Sequence, residues 1–151
     1  MKVQIKLEEG AKLPVKGEKN AMCYDCYAWK IEKQLDGKVF VDLGFSLTPP
    51  EGYGVRLIPR SNLTKYWWVM NNSIGVIDPD FKDNLQARFT PLVVPIPTGI
   101  SDNSVAFWTF PYTKNDRICQ LEIYKRNDFE FEIVDELTGE DRGGGFGSTG
   151  V

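Results

Sequence analysis

Histidine is absent from this chain of 151 residues. That absence removes the Ser-His-Asp triad, the Cys-His dyad, the H-E-x-x-H zinc helix and every imidazole metal ligand. Acid-base chemistry therefore falls to Asp, Glu, Lys, Tyr, Cys or bound water. No apolar run approaches the ~18 residues that a membrane-spanning helix needs, so no membrane partner is expected. Basic residues are outnumbered, 18 Lys and Arg against 21 Asp and Glu, and the net charge of -3 offers no footprint for nucleic acid. The N-terminus, MKVQIKLEEG, is charged throughout and is no signal peptide. Cysteine is sparse and odd in number, at three. Such a count reads as reduced thiols in the cytoplasm, or in a host's cytoplasm for a virus-encoded protein, rather than as a disulfide framework.

What is present is globular: 42% hydrophobic, 13% aromatic and 26% charged residues. The length fits one domain. Apolar residues recur with period two. Val3, Ile5 and Leu7 form one such row; Val39, Val41, Leu43 and Phe45 form a second; Phe129, Phe131 and Ile133 form a third, against Glu130 and Glu132. This alternation predicts half-buried strands. Turn chemistry separates them at Asp36-Gly37, Pro49-Pro50, Glu51-Gly52, Pro97-Thr98-Gly99 and Asn115-Asp116. Residues 62–70 are the one place for a short helix. Many short strands between turns predict an all-β sandwich or barrel over residues 1–141. Five of the nine residues from Arg142 to Gly150 are glycine, which sets residues 142–151 apart as a flexible C-terminal arm.

Several segments carry groups suited to chemistry. Cys23-Tyr-Asp-Cys26 matches C-x-x-C, but positions i and i+3 of a strand face opposite ways, and only Cys119 remains to complete a zinc site. Two small residues on a strand is the better reading, with Asp25 between them of greater interest. Arg60, in Pro59-Arg60-Ser61-Asn62-Leu63, offers a planar donor fork for phosphate oxygens. Asp78 and Asp80 flank Pro79 after an apolar stretch, as a tight turn or as a carboxylate base for water. The glycine-rich tail lacks the Lys of a P-loop. Its backbone amides, Arg142, Ser148, Thr149 and Phe146 still suit a grip on a nucleotide.

Five of these segments occur in a set order: AMCYDCYA (21–28), PRSNL (59–63), SIGVIDPDFKDN (73–84), NDRICQL (115–121) and RGGGFGSTG (142–150). Together they resemble the five ordered motifs of the homotrimeric dUTPase family over residues 21–150. The resemblance implies a jelly-roll-like, distorted β-barrel and hydrolysis of dUTP to dUMP and diphosphate. It also implies a homotrimer whose sites take motifs one, two and four from one chain, motif three from a second and the arm from a third.

The resemblance assigns roles residue by residue. Asp78 matches the Asp that activates water for in-line attack on the α-phosphorus. Asp25 matches the acid that holds Mg²⁺ through water, and Gln120 the Gln that contacts phosphate or the ion's water shell. Arg60, Ser61 and Asn62 match the phosphate-binding segment, and Arg142 a further phosphate contact. Asn72, Gly75 and the backbone at Gln86 match the uracil-recognising hairpin. Phe81 stands where the family has a Tyr under the deoxyribose. Phe146 matches the aromatic that stacks on uracil, with Gly147 and Ser148 beside it. Arg117 reads as structural at a subunit contact.

Departures are also present. Cys23, Asn62 and Asp83 replace usual glycines, and the tail has one residue fewer between Arg142 and Phe146 than the commonest pattern. Residues 87–114 are longer than usual, and Tyr66-Trp67-Trp68 reads as core or subunit-interface packing. Two rivals stand beside the dUTPase reading: a dCTP deaminase, which has a similar fold but needs a Glu base absent from PRSNL and GVIDPDF, and a non-catalytic dUTP-binding or interaction protein.

Overall fold

The computed structural model describes residues 1–92 and 109–140, and the strand backbone of Val94–Pro95 and Val105–Ala106. Among the described residues twelve strands follow one another: β1 (Gln4–Leu7), β2 (Tyr24–Tyr27), β3 (Lys30–Lys33), β4 (Val39–Asp42), β5 (Phe45–Thr48), β6 (Tyr53–Pro59), β7 (Trp68–Met70), β8 (Gly75–Ile77), β9 (Gln86–Pro91), β10 (Val94–Pro95), β11 (Val105–Ala106) and β12 (Arg117–Lys125). They form two four-stranded sheets, ordered β2-β12-β6-β8 and β3-β4-β9-β7, and two small pairs, β1-β5 and β10-β11. Every strand pairing among the described residues is antiparallel. Short strands with both sheets turned toward one core give the expected all-β, jelly-roll-like body.

The period-two row at Val39, Val41, Leu43 and Phe45 is wholly interior. It meets Ala87 and Phe89 of β9 and Val55 and Leu57 of β6 in one cluster with Ile118, Cys119 and Leu121 of β12. Burying each such large apolar side chain contributes roughly 1.5–3 kcal/mol. The turn at Asp36-Gly37 forms as the sequence predicts. Gly37 takes φ 82, a left-handed conformation that glycine adopts without strain, and Asp36 accepts from the Lys38 amide. Asn115 takes φ 72 in the last of the predicted turns, where Asp116 caps the amide of Thr113 at 2.7 Å.

Two sequence expectations meet limits. The short helix expected in residues 62–70 is present only as a 3₁₀ helix over Ser61–Lys65, and β7 follows. Trp68 and Met70 are buried by pairing with β9, and this tertiary contact outweighs local helical preference. Phe129, Phe131 and Ile133 form no strand. They are 79%, 100% and 99% exposed. Alternation needs a neighbouring strand and an apolar surface to become a half-buried strand, and the described residues of this chain provide neither. The aromatic run divides: Trp68 packs edge-on against Phe110 at 5.0 Å, while Tyr66 and Trp67 are exposed.

Candidate active site

Asp25 lies on β2, opposite Gln120 of β12, which in turn lies opposite Ile58 of β6. Arg60 follows β6 by one residue. Three adjacent strands thus bring segments far apart in sequence to one spot. Asp25 is 4% exposed and its carboxylate is well supplied with donors. Oδ1 accepts from Arg60 Nε at 3.1 Å and from Gln120 Nε2 at 3.1 Å, and Oδ2 accepts from Arg117 Nη1 at 3.0 Å. A buried carboxylate persists when it is paired and hydrogen-bonded in this way.

Arg117 joins the cluster through an irregularity. Residues 117 and 120 of a regular strand would face opposite ways. The β2-β12 register shifts between Arg117 and Cys119, and this bulge lets both Arg117 and Gln120 reach Asp25. Sequence reading misses the contact because the bulge has no signature in N-D-R-I-C-Q. The next residues in register, Cys26 and Cys119, face each other in the core. The bond from Cys119 and burial together push the Cys26 thiol well up from the ordinary range. That makes it an inert core residue, in line with the structural reading of C-x-x-C.

Beyond Arg60 the 3₁₀ turn presents Ser61 to solvent. Thr64 Oγ1 donates to the Ser61 carbonyl at 2.7 Å, and Tyr112 donates its hydroxyl to Asn62 Oδ1 at 3.3 Å. Asn62 therefore anchors the turn to the body. Burial pushes the Tyr112 phenol up, with nearby Tyr66 adding to the shift and Arg60 opposing it. A cavity of about 710 Å³ opens here, lined by Arg60, Ser61, Thr64, Tyr66, Trp67 and Met70 among others.

A second cluster surrounds the hairpin from β7 to β9. Asn72 donates to the Gln86 carbonyl at 2.8 Å and accepts from the Arg88 amide at 2.9 Å, so its amide group braces β9. Gly75 has a steric reason: a Cβ there would stand 3.0 Å from the Asn72 carbonyl oxygen and 3.4 Å from Leu57 Cβ. The turn carries a cis peptide at Ser73-Ile74. Phe81, half-exposed at 42%, borders a cavity of about 430 Å³ with Asn72, Ile77, Asp83, Gln86 and Arg88. Asp83 and Arg88 are polar lining residues that the sequence reading did not assign to the pocket. Arg88 holds the Gln86 side chain through its Nη2 at 3.1 Å.

Asp78 follows β8 directly and is exposed. Its carbonyl accepts from the Phe81 amide at 3.1 Å, closing the Asp-Pro-Asp turn. Within one chain Asp78 is remote from Asp25. Ile77 lies opposite Val55, whereas Gln120 lies opposite Ile58, and β6 and β12 stand between β8 and β2. Asp78, one residue past Ile77, is level with Gly54, so strand spacing sets its backbone about 13 Å from that of Asp25 along the strands and three ~4.8 Å strand intervals across them. Arg60, Ser61, Asp25 and Gln120 come together; Asn72, Gly75, Asp78, Phe81 and Gln86 come together elsewhere. Arg142, Phe146, Gly147 and Ser148 lie outside the described residues.

The donor set for a metal is thin. Among the described residues no group of three or more His, Cys, Asp or Glu that could hold an ion occurs. Asp25, buried and holding three donors, fits contact through water rather than direct ligation. Mg²⁺ suits such a site, since it keeps several waters and binds mainly through substrate phosphates. No helix among the described residues is long and apolar enough to cross a membrane.

No protein-family model matches the chain. Curated relatives do. The chain is 33% identical over 150 residues to the deoxyuridine 5'-triphosphate nucleotidohydrolase of Yarrowia lipolytica, covering 96% of this chain and 86% of that protein. It is 31% identical over 157 residues to the enzyme of that name from Fusobacterium nucleatum, covering 99% and 98%. For that of Paramecium bursaria Chlorella virus 1 the identity is 32% over 148 residues, covering 97% and 95%. Among solved structures, the dUTPase of Staphylococcus bacteriophage 80alpha with dUpNHpp superposes with a TM-score of 0.77 at 23% identity, covering 99% of both chains. A dUTPase from phage phi11 of S. aureus, described with a structural Mg(II) ion, gives 0.71 at 20% identity over 92% of this chain and 100% of that one. At these identities the structural likeness speaks for the fold.

Proposed function

The chain belongs to the deoxyuridine 5'-triphosphate nucleotidohydrolase (dUTPase) family, and from that premise we propose that it hydrolyses dUTP to dUMP and diphosphate in a homotrimer whose sites are shared between subunits. One observation carries the shared-site reading: the Asp25–Arg60–Gln120 cluster and the Asp78 hairpin are both well formed, yet separated within one chain. A second chain brings the hairpin of one subunit to the cluster of another. The exposed Phe129, Phe131 and Ile133 support the same assembly, because a neighbouring subunit gives them a surface that the described residues of their own chain do not provide. Residues 142–151 act as an arm over the nucleotide, with Arg142 on phosphate and Phe146 on uracil.

The mechanism follows from the charges. The triphosphate carries roughly four negative charges, so a carboxylate approaches it only with compensation. Arg60 supplies a guanidinium and Ser61 a hydroxyl near the bond that breaks. Asp25 and Gln120 would hold a Mg²⁺ ion through its water shell, and the ion would supply further neutralisation of the phosphate charge. Asp78 is exposed and follows a paired strand, so its carboxylate is positioned and open to water. It orients the water and removes a proton as the oxygen attacks the α-phosphorus in line, and diphosphate leaves from the opposite side. The hairpin braced by Asn72 offers backbone donors and acceptors to the uracil edge, and Phe81 packs beneath the sugar. A hydrogen-bonding slot of this kind discriminates against cytosine, whose pattern is reversed. Three unpaired thiols suit a cytoplasmic setting, in the cell or in a viral host.

The test is diphosphate release from dUTP, dCTP, dTTP and UTP in parallel, with and without Mg²⁺. Selective release from dUTP is expected, dependent on the ion. Ammonia from dCTP without diphosphate from dUTP points to the deaminase instead, and tight dUTP binding with no product points to a binding protein.

A further inference from the structure

Arg60 is held at more points than a phosphate ligand needs. Its Nε donates to Asp25 Oδ1 at 3.1 Å and its Nη1 to the Arg117 carbonyl at 3.2 Å. A guanidinium has five N–H donors. The two nitrogens so engaged leave Nη2, and one hydrogen of Nη1, as the donors for a ligand. Arg60 lines the 710 Å³ cavity with Ser61, whereas Arg117 is absent from its lining. The Arg60 side chain is 18% exposed and that of Arg117 50%.

Arg117 touches Arg60 twice, once through its own carbonyl and once through Asp25. Its Nη1 is the side-chain donor on Asp25 Oδ2, while Arg60 and Gln120 share Oδ1. The N-terminal segment closes over this corner: a Cβ at Gly17 would stand 3.2 Å from Oδ2 and 3.7 Å from Arg117 Nη1. Val15 pairs with Asp25 on the same side. Oδ2 therefore has little access to water, and removing Arg117 leaves a buried carboxylate oxygen short of a donor. A carboxylate in that position turns toward its remaining partners and carries the Arg60 guanidinium with it.

Resting on the dUTPase reading, we infer that Arg117 is a positioning residue for the reaction: through the Asp25 carboxylate and its own carbonyl it fixes the Arg60 guanidinium with its remaining donors toward the triphosphate. The bulge at Arg117 is then part of the site, since it is what turns the side chain to Asp25. A second positive charge on Asp25 also keeps the cluster net cationic, which favours a polyanionic ligand.

A double-mutant cycle tests the coupling. Arg60→Gln, Arg117→Gln and the double variant are compared for kcat and KM on dUTP, and for calorimetric binding of dUpNHpp and of dUMP. Arg117→Gln is expected to weaken dUpNHpp binding about tenfold, the loss of one charge-assisted contact, while changing dUMP binding less than about twofold. In the Arg60→Gln background the same substitution should cost nothing further. Arg117→Lys, which keeps charge and reach, should recover most of the loss. If Arg117→Gln does not fold, Arg117→Lys takes its place in the cycle, and its smaller loss must likewise vanish in the Arg60→Gln background. Additive losses, or equal losses for dUpNHpp and dUMP, overturn the inference. Wild-type protein that releases no diphosphate from dUTP overturns the dUTPase reading itself, a result distinct from an additive cycle in an active enzyme.

Discussion

Asn72 grips Gln86 across the hairpin, donating its side-chain amide to the Gln86 carbonyl at 2.8 Å and accepting from the next amide but one, that of Arg88, at 2.9 Å. One side chain thereby replaces two rungs of a strand ladder and ties the turn between β7 and β8 to β9. Asn72→Ala leaves a carbonyl and an amide without partners, at a cost of ~1–3 kcal/mol. The expected outcome is a lower Tm and a raised KM for dUTP, with kcat falling less. Thermal melting and steady-state kinetics on one preparation check both; an unchanged KM would detach Asn72 from nucleotide recognition.

Asp78 is assigned to water activation. Asp78→Asn keeps the shape and removes the base, so kcat should drop by about 10²–10⁴ with dUpNHpp binding retained. Turnover near that of the unaltered protein removes Asp78 from the mechanism.

Shared sites make a sharper claim about subunits. Asp78→Asn and Arg60→Gln chains should each be nearly inactive alone. Unfolded together and refolded as mixed trimers, they should regain about a quarter of the wild-type rate, because random mixing pairs an intact Asp78 with an intact Arg60 at about one interface in four. Sites contained in single chains give no recovery.

The cysteines differ in reach. Cys26 and Cys119 are fully buried, and Cys23 is half-buried. Burial, then Glu122, pushes the Cys23 thiol up from its ordinary value. Because the thiolate is the reactive form, Cys23 should react slowly with Ellman's reagent near neutral pH and faster as pH rises beyond ~8.5. One thiol is expected in the native protein and three after denaturation. Rapid reaction of all three in the native state contradicts the buried pairing of Cys26 with Cys119.

Strand alternation in the sequence identifies the interior row at Val39, Val41, Leu43 and Phe45, because a residue's face in a strand depends on parity alone. The turn at Asp36-Gly37 is legible for a similar local reason, since the left-handed conformation there suits glycine. The same alternation at Phe129, Phe131 and Ile133 misleads, as periodicity records a face suited to burial but not which chain buries it. Residues 62–70 are legible only in part: the short helix forms over Ser61–Lys65, but pairing of Trp68 and Met70 with β9 is a long-range contact with no local signal.

The sequence by itself determined the site's chemical inventory: a chain without histidine must rely on carboxylates, guanidiniums and amides, and the ordered segments name Asp25, Arg60, Asp78 and Gln120. Only the tertiary structure decided how those groups are arranged. Register across β2, β12 and β6 set Gln120 opposite Asp25, and a bulge turned Arg117 to the same carboxylate. Strand order placed Asp78 across β6 and β12 from Asp25. Residue identity is local, whereas register, bulges and strand order come from the packing of the whole body, where a shift of one residue would carry a side chain to the opposite face.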